Sequence, residues 1–270
     1  DVFEAATYDN ADNLSEDYIQ GLEATYTGQM RERYLLGRWA SFEGLVHPQW
    51  VEVNHVVPHA TMLDLFEDLK RDYVLTIVEG YDFGSIVPSC YLYGFVDPWH
   101  NLHIIDGFYK PETELSVREQ AREILAIREK MATTVTLPFA DPSVFRRVPG
   151  GEGTRGAGPS IHALFEEHGV SMQRGNNAVL NGVVKVNAYL TAGKLHRNPY
   201  TAMAPGPHIY ISDKLDFFMD EITEYYWKRN TEGEYEDVPQ DRNDHAMNTL
   251  RYMLTDVPDI PHLSRAARAR

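Results

Sequence analysis

The sequence predicts an α/β fold: a mixed sheet, made of a three-strand antiparallel meander plus parallel strands, flanked by helices. Three observations predict it. Three strand-like runs follow one another between residues 71 and 109, and the turns between them are too short for anything but antiparallel pairing. After them the chain alternates helix, strand, helix, strand, which is the rhythm of helices laid on a sheet. Residues 115–131 carry apolar positions at helical spacing behind a capping box, so the first covering helix is well specified.

Taken in order, the elements justify that reading. Residues 1–50 read as a mainly helical lead-in: Tyr18, Ile19, Leu22 and Tyr26, then Met30, Tyr34 and Leu35, keep helical spacing across a break at Thr27-Gly28. "VEVNHVV" (51–57) is β-like, and "ATMLDLFEDLK" (60–70) follows it. "YVLTIVEGYDFG" (73–84), "SCYLYGFV" (89–96) and "NLHIIDGFY" (101–109) are the meander, with turns at Pro88 and at Asp97-Pro98. In 115–131, Ser116 and Glu119 form the capping box, and Val117, Ala121, Ile124 and Ile127 form the buried stripe. "TTVTLPFADPS" (133–143) is a short strand that ends at Asp141, and "GGEGTRGAGPS" (150–160) is a glycine-rich loop. The helical "SIHALFEEHG" is separated by a fifth strand, "VSMQR", from the helical "NNAVLNGVVKVNAYLTAG". Residues 195–213 suggest a hairpin-like excursion. Residues 213–228 are amphipathic through Leu215, Phe218, Ile222 and Tyr225, and 241–254 is a last helix capped by Asp241.

Composition bounds the function. At 270 residues the chain suits one large or two modest domains. No window reaches the ~18 apolar residues of a membrane span. The start, Asp1-Val2-Phe3-Glu4, has neither the basic region nor the apolar stretch of a signal peptide. It also lacks a Met, so a fragment of a longer protein is expected. One cysteine, Cys90, rules out an internal disulfide framework and fits a reducing compartment. A net charge of −15 argues against a non-specific nucleic-acid binder, but not against an enzyme whose acidic centre is neutralised by bound cations.

Three carboxylates stand at the ends of elements: Asp82 after the first meander strand, Asp141 after the fourth strand, and Asp244 at the last helix. If strands one and four lie side by side, Asp82 and Asp141 converge at one sheet edge, and a helix across that edge adds Asp244. Hard divalent ions want such oxygen ligands, and a pair of ions suits a phosphodiester displacement. Each acid taken alone also fits a turn or a helix N-terminus.

Together these residues resemble the nuclease domain of a tailed-phage terminase large subunit, an RNase H-like fold in a DNA-packaging motor. "TYTGQMRERYLLGRWASFEGLVHPQW" (25–50) resembles the segment joining the family's ATPase and nuclease domains. "GYDFG" (80–84) and "FADPS" (139–143) resemble its first and second acidic motifs, "IIDGFYK" (104–110) its third strand, and "NDHAMNTLRYML" (243–254) its C-terminal acidic motif. The resemblance implies a lead-in over 1–60 from an ATPase domain, a nuclease domain over 61–258 and a basic tail over 259–270. It further implies two Mg²⁺ or Mn²⁺ ions and endonucleolytic cutting of concatemeric viral double-stranded DNA. The implied partners are DNA, a portal and a small terminase subunit, and the implied location is the host cytoplasm. Carried over by match, Asp82, Asp141 and Asp244 are metal ligands. Many members read Asp-His-x-x-Asp-Ala-x-Arg-Tyr in the last motif, whereas here the second acid is Asn248. Either Asp244 serves alone, or His245 helps, or Asn248 is a weak neutral ligand. No G-x-x-x-x-G-K-S/T loop is present, so ATP hydrolysis by that route is not expected of this chain.

Arg146, Arg147 and Arg155 follow Asp141, while Lys185, Lys194, His196 and Arg197 gather near the hairpin-like excursion. Both groups are candidate phosphate contacts as well as ordinary solvated surface. Asp106 reads either as a strand-end polar residue or as one facing the metals, Glu79 as facing away from Asp82, and His100 with His103 as no zinc pair. Two other readings stay open. One is an RNase H-like resolvase or transposase-type nuclease. The other is a DNA- or portal-docking module with an impaired nuclease site.

Overall fold

The computed structural model describes residue 15 and residues 44–84, 87–111, 114–131, 138–147, 158–193, 196–203, 205–255 and 257. The expected lead-in helix before residue 44, most of the glycine-rich loop, the basic tail, Arg155 and Lys194 lie outside the described residues.

In chain order the described sheet strands are β1 (Val56–Val57), β2 (Thr76–Asp82), β3 (Pro88–Val96), β4 (Leu102–Pro111), β5 (Phe139–Ala140), β6 (Gln173–Arg174) and β7 (Ile209–Ser212). They form one mixed sheet in the order β1-β7-β4-β3-β2-β5-β6. The meander is there: β2 and β3 pair antiparallel from Thr76↔Val96 to Asp82↔Cys90, and β3 pairs antiparallel with β4. Its register shifts between Tyr93 and Gly94. β5 lies parallel beside β2 with Tyr81 opposite Ala140, so the first and fourth strands expected from the sequence are neighbours.

Helices cover both faces. On one side are α2 (His59–Asp72), α3 (Val117–Met131) and the short α4 (Ile161–Glu166), which bury Phe66, Ile124 and Phe165 against Tyr81, Tyr91 and Ile105. On the other are α5 (Val179–Leu190), α6 (Asp216–Glu224) and α7 (His245–Met253), which bury Val183, Phe218 and Met253 against Val78, Leu92 and Ile104. The period of two along β2 sends Glu79 and Tyr81 to the first face and Val78 and Asp82 to the second. Glu79 there accepts a two-pronged hydrogen bond from Arg128 of α3 and another from Tyr91, which locks α3 to the sheet. The capping box of α3 is formed: Ser116 Oγ and N donate to Glu119 Oε2 at 2.6 and 2.9 Å.

Several expectations change. "VEVNHVV" begins as one helical turn, α1 (Glu52–His55), before β1 joins the sheet beside β7, so the segment before residue 61 supplies an edge strand. Gly193 and Gly206 are joined by an antiparallel bridge, but β7 then runs parallel between β1 and β4. Four residues are too few to show their partners by periodicity. The amphipathic stretch over 213–228 stops being helical at Glu224. Tyr225 turns extended, and Trp227–Arg229 (β8) pairs with Tyr235–Pro239 (β9) in a separate ribbon, as suits three consecutive aromatic residues. The last helix starts at His245, not at Asp241. Asn243 takes φ of 48°, a left-handed conformation that interrupts a helix, and Asp244 becomes the N-cap residue.

Candidate active site

α7 rests directly on the meander because two glycines leave room for it. A Cβ on Gly80 of β2 would lie 2.5 Å from the Thr249 carbonyl oxygen, and one on Gly94 of β3 would lie 2.8 Å from Met253 Cε. This close seating carries the start of α7 to the end of β2. Asp82 emerges there. Beside it the backbone N–H of Asp141 donates to Tyr81 O at 3.1 Å, extending the parallel ladder by one residue and presenting the second acid at the same edge.

Each of the three acids is engaged. His245 Nδ1 donates to Asp82 Oδ2 at 2.9 Å. Asp141 accepts from the Tyr252 hydroxyl and from Ser143 N, the latter at 2.5 Å, which caps the 3-10 turn Pro142–Phe145. Asn248 Nδ2 donates to Asp244 Oδ2 at 2.9 Å, and the Asn248 carbonyl accepts from Arg251 Nη2. The amide of Asn248 thus links an acid to a cation.

Asp82 and Asp244 are 7% and 8% exposed, and that burial sets their electrostatics. Burial pushes the Asp82 carboxyl above its ordinary range, the His245 hydrogen bond and charge pull it back, and the charges of Asp141 and Asp244 push it up again. Burial likewise raises Asp244, against the pull of His245 and Asn248. For His245 the sign reverses. Burial acts to lower it, but Asp82, Asp244 and Glu221 outweigh that and hold the imidazole above its ordinary value.

Glu221 was not visible as a site residue in the sequence. It is 4% exposed on α6, accepts from the Tyr109 hydroxyl and accepts from Ala246 N at 2.6 Å, which fixes the first turn of α7. Its one signal is an acid on the same helical face as Phe218, Ile222 and Tyr225. Tyr252 and Arg174 were also missed. Arg174 donates to Pro142 O at 3.3 Å and lies over the Phe145 ring, beside the turn that carries Asp141. Arg146 and Arg147 are exposed in that same segment.

Other candidates are elsewhere. Asp106 is buried and paired with Lys214 at 2.5 Å and with Lys130 at 3.6 Å. His103 is buried against Asp97 and Tyr200. Arg197 stands near Trp99, beyond the end of β3 that is remote from Asp82.

Three carboxylates at one edge, without sulfur ligands, are the donor chemistry of a hard divalent cation such as Mg²⁺ or Mn²⁺, and a cation relieves the mutual repulsion that raises Asp82. In the present side-chain arrangement, among the described residues, no three His, Cys, Asp or Glu side chains are grouped so as to hold an ion.

No protein-family model matches the sequence, and no curated protein matches it. Solved structures do match. The large terminase of a thermophilic bacteriophage, in complex with ADP, has a TM-score of 0.62 at 19% identity, over 93% of this chain and 54% of that one. The P22 large terminase nuclease domain has a TM-score of 0.50 at 12% identity, over 82% of this chain and 98% of that one. The class so defined is the RNase H-like α/β fold. More narrowly, it is the fold of the large-terminase nuclease domains, and the chain spans about half the length of the thermophilic phage protein.

Proposed function

We propose that this chain is the nuclease domain of a terminase large subunit, a divalent-metal-dependent endonuclease that cuts concatemeric viral double-stranded DNA during genome packaging. The observation that carries the reading is the meeting of Asp82, Asp141 and Asp244, from β2, the end of β5 and the start of α7, at one sheet edge in this fold. These three acids would hold the cations. Bound there, two Mg²⁺ or Mn²⁺ ions supply Lewis-acid stabilisation of the phosphate charge and an acidified water. The remaining roles belong to the chain. His245 and Tyr252 orient Asp82 and Asp141, Asn248 orients Asp244, and Glu221 fixes the helix that carries His245, Asn248 and Tyr252. Arg146, Arg147 and Arg174 lie on the Asp141 side, where guanidinium groups position a DNA backbone. A portal and a small terminase subunit are the proposed protein partners, and the host cytoplasm is the proposed location. Among the described residues no helix is long and apolar enough to cross a membrane.

The test is cleavage of supercoiled plasmid with Mn²⁺, Mg²⁺ or EDTA, by the chain and by Asp82→Asn. Metal-dependent cutting that the variant loses is the expected result. Full activity in the variant would sink the assignment.

A second reading, a docking module with an impaired centre, is favoured by one observation: Asn248 stands in the acidic motif and is committed to Asp244 and Arg251. Calorimetric titration separates the two. A working centre binds Mn²⁺ with an affinity that falls in Asp82→Asn and Asp141→Asn, whereas an impaired one shows no such dependence.

A further inference from the structure

The end of the sheet remote from the acids carries a built cavity that the nuclease reading leaves unused. It lies past Val96, at the opposite end of β3 from Cys90, the residue paired with Asp82, hence roughly 20 Å from the acids. Its volume is about 440 Å³, and Leu65, Trp99, Asn101, Arg197, Pro199 and Ala202 line it.

The walls are preorganised. Asp97, 3% exposed, accepts from Trp99 N at 2.9 Å, from Asn101 N at 2.8 Å and from Asn101 Nδ2 at 2.7 Å, which fixes the turn bearing Trp99. His103 Nε2 donates to the same carboxylate at 3.1 Å, and the Tyr200 hydroxyl donates to His103 Nδ1 at 2.6 Å. His196 Nε2 donates to Asn101 Oδ1 at 2.6 Å, joining the opposite wall to the turn. That wall is itself closed by Gly206 N to His196 O, Asn198 N to Met203 O and Ala202 N to Asn198 O, each 2.8 Å. Arg197 thus stands between His196 and Asn198, both held by backbone hydrogen bonds.

What the walls display calls for an occupant. Trp99 is 54% exposed, and Tyr73 meets it edge-on at 6.3 Å. Tyr73, which does not line the cavity, is itself 46% exposed, so the aromatic surface runs past the rim. Arg197 has no acidic partner among the described residues, although the chain carries 40 acids against 25 lysines and arginines.

We propose that this cavity is a docking site for another protein, receiving a large apolar or aromatic side chain flanked by a carboxylate that pairs with Arg197. Apolar walls with one exposed Trp and one Arg are the composition of an interface hot spot. A single guanidinium complements a carboxylate, whereas a phosphate-rich ligand calls for several donors and meets a chain of net charge −15. Apolar surface extending past the rim is covered only by an occupant larger than the cavity. The proposal stands independently of the nuclease assignment.

The experiment is selection from a phage-displayed library of short random peptides on the chain, with the selected peptides then titrated by fluorescence polarisation. Selected peptides should pair a large apolar residue with a nearby Asp or Glu. Trp99→Ala and Arg197→Glu should each weaken their binding about tenfold or more. Arg197→Glu should regain binding when the peptide's acid is changed to Lys. Both positions are on the surface, and unchanged melting curves exclude misfolding. The proposal is overturned if no peptide is enriched, or if the enriched peptides lack the acid or bind both variants as well as the parent. It is also overturned if ATP or a short oligonucleotide, rather than a peptide, saturates the cavity. A dimer in sedimentation that Trp99→Ala dissolves would assign the surface to a second copy instead.

Discussion

Arg251 is 5% exposed. One guanidinium nitrogen donates to Asn248, while Nε and Nη1 have no hydrogen-bond partner among the described residues. A buried charge whose donors are unmet costs free energy. The aliphatic part of Arg251 lies against the bare Gly182 of α5, while its guanidinium lies over the Tyr252 ring and its charge helps hold the Asp244 carboxyl down. Its one hydrogen bond holds the Asn248 carbonyl so that the Asn248 amide faces Asp244. Arg251→Met should therefore change stability by no more than about 1 kcal/mol in urea unfolding, well short of the ~3–5 kcal/mol for breaking a buried ion pair. The same variant should weaken Mn²⁺ binding in calorimetry. A large loss of stability with unchanged metal affinity would make Arg251 structural. None of this was legible in the sequence, where Asn248 read as a missing acid. Its partner lies one helical turn on, but only the structure shows that the amide spans both.

At the scale of elements, the site depends on how closely α7 sits on the meander. Gly80→Val places branched atoms where the Thr249 carbonyl already stands 2.5 Å from a Cβ. The helix must then lift and take Asp244 and His245 with it. Cleavage should fall to background while far-UV circular dichroism stays near that of the parent, with a cost of about 1–3 kcal/mol for the overpacking. Normal cleavage by the variant would show that α7 is not a positioning element. The elements that could be read in advance were those with several agreeing signals. α3 had a capping box and a four-residue stripe, and the meander had short turns that left one way to pair. The meander did not itself place the fourth strand, so the adjacency of Asp82 and Asp141 stood only as a condition until β5 was found parallel beside β2. Two-residue strands such as β5 and β6 were found only through their flanking patterns. β7 and the β8–β9 ribbon hid in text that reads equally as loop or helix, because so few residues carry no period. Glu221 was hidden among polar neighbours on α6, and Arg197, grouped by sequence with the DNA contacts, proved to stand at the far end of the sheet.

Across the whole molecule, buried neutral histidines tie stability to pH. Burial lowers His47 from 6.5 to about 4, with its Nδ1 paired to Asn187 at 2.7 Å. Burial lowers His55 and His103 as well. As the pH falls from about 6.5 to about 4, the unfolded chain takes up a proton that folded His47 refuses. Its contribution is whole above that window and is lost through it, by about 3 kcal/mol. The raised carboxyls of Asp82, Asp244 and Glu221 work in the opposite sense. The measurement is accordingly the difference between the chain and His47→Gln in urea midpoint across that range. The variant should show the shallower acid loss, and parallel curves would remove His47 as a cause. The order of the acids along the chain has a further consequence. His245 comes 163 residues after Asp82. At a synthesis rate of roughly 5–20 residues per second, an interval of roughly ten to thirty seconds separates the emergence of the first acid from that of α7. Until then the bare glycines of β2 and β3 await their helix. A nascent chain therefore carries Asp82 with no helix across it, and the proposed site is assembled only after α7 has emerged.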